Sequence, residues 1–284
     1  MPKLERPDGF VINYDDRGDR DAPAVVLLHG FTSDLRMWAP HAGPFAEGYR
    51  VIAPDLRGHG ETTAPPFDAG APAGAYTMEA YADDLSALLD ALEVDVCALA
   101  GSSFGGMVAL QFATTWPGRV AALVLSDTSA AYADPGYDAA YHQREAEIDR
   151  STGIVERFGT AELGKRAAAR LSDPFLAAAM RARYALLSRD GYLGTARVRR
   201  ERPNLLPILA ERLAMPVLIC IGEDDPVRSA SEVMASSLPH ARVVTFAGAG
   251  HGVPVRKPEA YGRAVLAFLR DVEEGRPTTG RRRG

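Results

Sequence analysis

Cysteine is scarce in this sequence: two in 284 residues, Cys97 and Cys220. Each lies inside an apolar run, so buried free thiols are expected rather than a disulfide, and a reducing compartment suits them. Long apolar runs are missing too. No stretch approaches the about 18 consecutive apolar residues of a membrane-spanning helix, which excludes a membrane-embedded chain. Excess basic charge is also lacking, since 32 Lys and Arg stand against 37 Asp and Glu for a net charge of −5. Nucleic acid is therefore not an expected partner, because neutralising phosphates takes a basic surface. His-Glu-x-x-His, Cys-x-x-Cys and the phosphate-binding loop signature do not occur, so no rival metal or nucleotide site presents itself. Behind the charges of Met1 to Arg6 no apolar core follows. No secretory signal is expected, and the cytoplasm is the expected location.

What is present is an ordinary globular mixture, 46% apolar and 24% charged,. The length sits at the upper edge of what one core organises, which points to one large domain with an inserted subdomain. Continuous apolar runs at Val25–Leu28, Arg50–Ala53, Val96–Ala100 and Val120–Leu125 read as strands buried on both faces of a parallel sheet,. Between them, Met78, Tyr81, Leu85, Leu88, Leu89 and Leu92 fall at helical spacing behind a candidate N-cap, Thr77,. Residues 64–75 read as a surface loop. This order predicts an α/β fold with a mostly parallel central sheet flanked by helices. From residue 130 to 213 the strands stop and helical pieces rich in Ala, Arg and Glu take over. Strands resume at Pro216–Ile221 and Arg242–Phe246, and a last helix spans Pro258–Val272. The expected organisation is a core of residues 1–129 and 214–274 and an inserted helical lid of residues 130–213. Residues 275–284, with Arg281, Arg282 and Arg283, form an expected disordered basic tail,.

Gly101-Ser102-Ser103-Phe104-Gly105 matches Gly-x-Ser-x-Gly between a predicted strand and a predicted helix, the setting of a nucleophile elbow,. Ser103 is the candidate nucleophile. It needs a base, and His251 in a Gly-rich segment after the last predicted strand is the candidate,. The base needs an orienting carboxylate. Three acids, Glu223, Asp224 and Asp225, crowd one strand end. Asp225 is chosen because it lies furthest along and precedes Pro226; Asp127 is the alternative. An oxyanion hole is expected from the backbone N–H groups of Phe104 and Phe31, with His29 bracing the loop that carries Phe31.

His29-Gly30-Phe31, Asp55 to Gly60, Gly101 to Gly105, Gly222 to Asp225 and Gly250-His251, in this order, resemble the α/β-hydrolase superfamily. The resemblance covers all but the helical insertion and the tail, and implies an α/β-hydrolase fold with an inserted helical cap. It implies that Ser103 attacks an acyl carbonyl while His251 takes its proton, and that water later releases the acid. No metal or organic cofactor is implied. A serine at the elbow argues against epoxide opening and dehalogenation. The chain is similar to small carboxylesterases and 3-oxoadipate enol-lactonases, so the expected substrate is a small-molecule ester or lactone. Diketone C–C hydrolysis and cofactor-free haloperoxidase or perhydrolase chemistry stay open with the same triad, as does a non-catalytic binding protein. A homo-oligomer also stays open.

Trp38, Met107 and Val253 are expected to line an apolar substrate pocket with Phe31. The lid aromatics Tyr132, Tyr137, Tyr141, Phe158, Tyr184 and Tyr192 are expected mainly to pack the lid itself. Arg197, Arg199, Arg200 and Arg202 read as a solvated helix face; one of them turned inward would favour a carboxylate-bearing substrate. Residues 131–213 hold 14 basic and 11 acidic side chains, a slightly positive lid on a negative core.

Overall fold

The computed structural model describes residues 1–284 except 69 and 71–73. The chain runs β1 (Lys3–Glu5), β2 (Val11–Arg17), β3 (Ala24–Leu28), α1 (Ala39–Ala46), β4 (Arg50–Pro54), α2 (Met78–Ala91), β5 (Cys97–Ser102), α3 (Phe104–Thr115) and β6 (Val120–Ser126). A helical stretch follows, with α4 (Ala139–Phe158), α5 (Thr160–Ala168), α6 (Pro174–Leu186), α7 (Arg189–Glu201) and α8 (Leu209–Arg212). The sheet then resumes with β7 (Val217–Gly222), α9 (Arg228–Ser236), β8 (Arg242–Phe246), α10 (Val253–Arg256), α11 (Pro258–Glu273) and β9 (Gly280–Arg283).

Among the described residues nine strands form one sheet, in the order β1-β2-β4-β3-β5-β6-β7-β8-β9. β1 and β2 pair antiparallel and β2 meets β4 antiparallel, while every later pairing is parallel. Alternation along β3 divides the core. Val26 and Leu28 join the apolar cluster under α2 and α3, and Val25 and Leu27 join the one under α1 and α11. α3 is buried on all sides, as a helix without a polar face must be,. α11 instead buries a stripe, Tyr261, Val265, Phe268 and Leu269,. Thr77 caps α2, its hydroxyl accepting from Ala80 N–H at 3.0 Å. The parallel strands end at one rim, where βα loops gather; open α/β sheets place ligands along this rim.

The expected loop over residues 64–75 has no helix or strand where it is described, and its residues 69 and 71–73 lie outside the described residues. The C-terminal tail departs from expectation. Residues 280–283 are not a disordered end but the edge strand β9, pairing Val243 with Arg281 and Val244 with Arg282. Its side chains are exposed, so no apolar pattern announces it; backbone pairing and ion pairs of Arg281 with Glu232 and Arg283 with Glu223 hold it. Among the described residues no helix is long and apolar enough to cross a membrane.

Candidate functional site

Ser103 sits between β5 and α3 with φ +53°, a value that costs a non-glycine residue steric strain,. Tight flanks enforce it. A Cβ on Gly101 would strike the Gly105 carbonyl, and one on Gly105 would strike the Leu28 carbonyl. The serine backbone is pinned on both sides: its N–H donates to Ser126 at 2.8 Å, and its carbonyl accepts from the Thr128 hydroxyl at 2.7 Å. Ser103 Oγ thus stands at the sheet rim, 2.9 Å from His251 Nε2.

His251 follows β8 in the turn before α10. Its Nδ1 lies 3.0 Å from both carboxylate oxygens of Asp225, in the turn after β7. With Nδ1–H facing the carboxylate, Nε2 is left as the acceptor toward Ser103. Asp224 is exposed and Asp225 buried, which separates the two acids of that turn. Burial would raise the Asp225 carboxyl, but the hydrogen bond and charge of His251, with the Val227 N–H at 2.8 Å, hold it below the usual range. Burial pushes the His251 imidazole below its ordinary value; the Arg144 charge adds to this, and Asp225 opposes it.

Asp127 is not hydrogen-bonded to the histidine. It stands at the end of β6 with φ +51° and ties the neighbouring turns together. One of its oxygens accepts Gly222 N–H at 3.1 Å; the other accepts Gly252 N–H at 3.1 Å and Val253 N–H at 2.6 Å. Burial and the nearby Asp225 charge push its carboxyl well up, while His251 holds that of Asp225 low,.

Phe104 follows Ser103 as the first residue of α3, so its N–H has no partner within the helix,. Gly30 lies against Ser103, with its Cβ position 3.4 Å from the serine Cβ. That brings Phe31, the next residue, to the same rim. His29 braces the loop: Nδ1 is 2.9 Å from Gly30 O, and Nε2 accepts Leu56 N–H at 2.9 Å. Burial lowers its pKa to about 4, and that of neighbouring His59 to about 3. Asp55, Arg57 and His59 serve structure in the adjoining turn: Asp55 accepts Leu35 and Glu61 N–H groups, and Arg57 pairs with Asp84.

A cavity of about 770 Å³ opens over Ser103 and His251. Its apolar wall includes Phe31, Met37, Ile148, Leu163 and Tyr192, and its charged wall Arg144, Arg183, Arg256 and Glu147. None of the three expected pocket residues Trp38, Met107 and Val253 belongs to this wall. Trp38 and Val253 are both 0 % exposed, packed in the core between the sheet and α11. Their apolar character is spent on that core. Met107 lies one turn into α3, already below the rim, and faces Leu110 and Leu205 across a separate small void. Tyr184 and Tyr192 reach the cavity from the helical stretch, whereas Tyr137 and Tyr141 pack against each other as tilted rings with centroids 4.5 Å apart.

The arginine run of α7 divides as well. Arg200 is exposed and pairs with Asp149, and Arg197 pairs with Glu201. Arg199 and Arg202 are buried instead of solvated, Arg199 against Glu145 and Arg202 against Ser129. A residue that sequence reading passed over, Arg144 of α4, reaches the rim, its Nη2 donating to His251 Nε2 at 2.9 Å. No motif surrounds it, and in sequence it is one arginine among many on a polar helix. Among the described residues no group of three or more His, Cys, Asp or Glu is gathered as a metal site.

A family model described as α/β hydrolase fold matches residues 23–258. The chain is similar to 3-oxoadipate enol-lactonase 2 of Acinetobacter baylyi, 26% identical, with 91% of this chain and 93% of the relative covered. It is 30% identical to a Bacillus subtilis protein provisionally named 2-succinyl-6-hydroxy-2,4-cyclohexadiene-1-carboxylate synthase, covering 93% of this chain and 97% of that one. A thermophilic esterase from Thermogutta terrifontis superposes with a TM-score of 0.76 at 31% identity, covering 95% of this chain and 98% of the other.

Proposed function

The chain belongs to the α/β-hydrolase fold family, and from that premise we infer that it is a serine hydrolase of small carboxylic esters or lactones. One observation carries this reading: His251 spans Ser103 Oγ at 2.9 Å and the Asp225 carboxylate at 3.0 Å. Ser103 Oγ attacks the acyl carbonyl as its proton passes to His251 Nε2, and Asp225 steadies the imidazolium that forms. The tetrahedral oxyanion is received by the N–H groups of Phe104 and Phe31. His251 then protonates the leaving oxygen, and the acyl-serine forms. Water, losing its proton to His251, attacks that ester; the acid departs and Ser103 recovers its proton. The chain's own residues suffice for each step. The helical stretch of residues 130–213 acts as a cap, supplying Arg144, Ile148, Leu163 and Tyr192 to the cavity wall.

The test is a turnover screen across ester, lactone and diketone panels with Ser103→Ala as control. Ester or lactone hydrolysis is expected, falling at least about a thousandfold in the variant. Turnover confined to diketones would replace the ester reading with C–C hydrolysis. Equal rates in wild type and Ser103→Ala would remove serine chemistry altogether.

A further inference from the structure

Arginines crowd one carboxylate beside the cavity, and of them only Arg144 lines it. Arg144, Arg199 and Arg202 converge at the base of the helical stretch around one carboxylate, Glu145. Arg199 holds that carboxylate closely and is 2 % exposed, while Arg144 reaches it only at 3.3 Å. Arg199 Nε and Nη2 and Arg202 Nε have no hydrogen-bond partner among the described residues. Positive charge taken from water needs an anion or a strong acceptor nearby. The other cavity arginines are committed: Arg183 donates to Thr32 at 2.7 Å and 2.8 Å, and Arg256 to the His251 carbonyl at 2.9 Å. Arg144 has found a substitute acceptor in the base itself, His251 Nε2.

That contact has a chemical consequence. Neutral imidazole offers one in-plane lone pair at Nε2, and Ser103 O–H and Arg144 N–H both approach it at 2.9 Å,. While the guanidinium occupies the lone pair, the serine proton has nowhere to go. We propose that Arg144 is the recognition residue for a carboxylate on the substrate, and that in the free protein the same guanidinium holds His251 in reserve. This rests on the serine-hydrolase reading above and narrows its substrate class to esters or lactones bearing a carboxylate. A carboxylate entering the cavity offers Arg144 a charge-assisted, two-point partner, stronger than an imidazole nitrogen. Drawn to it, Arg144 leaves Nε2, and the base becomes available only when the anionic substrate is seated.

Two matched ester pairs test this. Monomethyl glutarate and methyl pentanoate differ by a carboxylate on the acyl side; 3-acetoxypropanoate and propyl acetate differ by one on the alcohol side. Wild type is expected to favour the anionic member of at least one pair by about tenfold or more in kcat/KM. In Arg144→Met this preference disappears, chiefly through KM, and turnover of the neutral ester rises. Arg144→Lys, which keeps the charge without the fork, retains a reduced preference. A neutral fluorophosphonate monitors the nucleophile independently, and its labelling of Ser103 is expected to quicken in Arg144→Met. Normal labelling of wild type with no preference for the anionic member of either pair overturns the carboxylate assignment alone. An Arg144→Met variant that loses anionic and neutral turnover in equal proportion overturns it too. Absence of both labelling and turnover in wild type overturns the hydrolase reading, and this proposal with it.

Discussion

Asp127 shows how one side chain can matter without touching a reacting atom. Its carboxyl group gathers N–H groups from the turn that precedes Asp225 and from the turn that carries His251. In Asp127→Asn one oxygen becomes an NH₂ facing a donor, and a buried N–H is left unpaired. The expected cost is about 1–3 kcal/mol, read as a lower urea midpoint at unchanged slope. An unchanged midpoint would refute the tie. His251 carries a second prediction. Burial, Arg144 and Arg256 lower its pKa and Asp225 raises it, with a net position below the ordinary 6.5. The base works only when neutral, so kcat/KM should be full above that pKa and fall as pH drops through a midpoint below 6.5. In Arg144→Met the midpoint should move upward, because a positive neighbour is gone; a fixed midpoint would deny the contact. Ser103, His251 and Asp225 were legible because glycine-rich turns and strand ends surround them. Arg144 was not, because its placement depends on how α4 lies over the rim.

At the scale of elements, legibility followed burial. β3 to β8 are apolar runs buried on both faces, so composition alone marks them,. β2 reads Val11-Ile12-Asn13-Tyr14-Asp15-Asp16-Arg17, and its polar half obscures the strand. Its stability comes from antiparallel pairing with β4, which no local pattern records. β9 is the extreme case, a strand of glycine and arginines at the sheet edge. Hydrogen exchange offers a direct check. The Gly284 N–H donates to Thr245 at 3.0 Å, and the β9 amides facing β8 should exchange more slowly than those of Thr278 and Thr279,. Uniformly fast exchange through residues 275–284 would restore the disordered tail. Trp38 and Val253 teach a related lesson: an apolar residue near a rim loop serves the core as readily as a pocket, and periodicity does not tell the two apart.

For the molecule as a whole, the same packing that places the site sets a pH limit on stability. His29 and His59 are buried neutral, with pKa values lowered to about 4 and about 3. An unfolded histidine takes a proton near 6.5, so below that pH the unfolded chain binds protons that the folded one refuses. Their contribution is therefore complete above pH 6.5 and lost as pH falls toward 4, at no more than about 1.4 kcal/mol per histidine per pH unit. Thermal melts should hold level from pH 7.5 to about 6.5 and then decline toward pH 4.5, a decline that shrinks in His59→Gln; a flat profile would contradict it. The sheet, its helical insertion and the rim loops act together, because Ser103, Asp225 and His251 come from three separate strand ends. The most direct test of that convergence is mass-spectrometric mapping of the protein after treatment with a fluorophosphonate. A single adduct on Ser103 is expected, forming at least about a thousandfold faster in wild type than in His251→Ala. An adduct on another residue, or equal labelling in the two proteins, would contradict it.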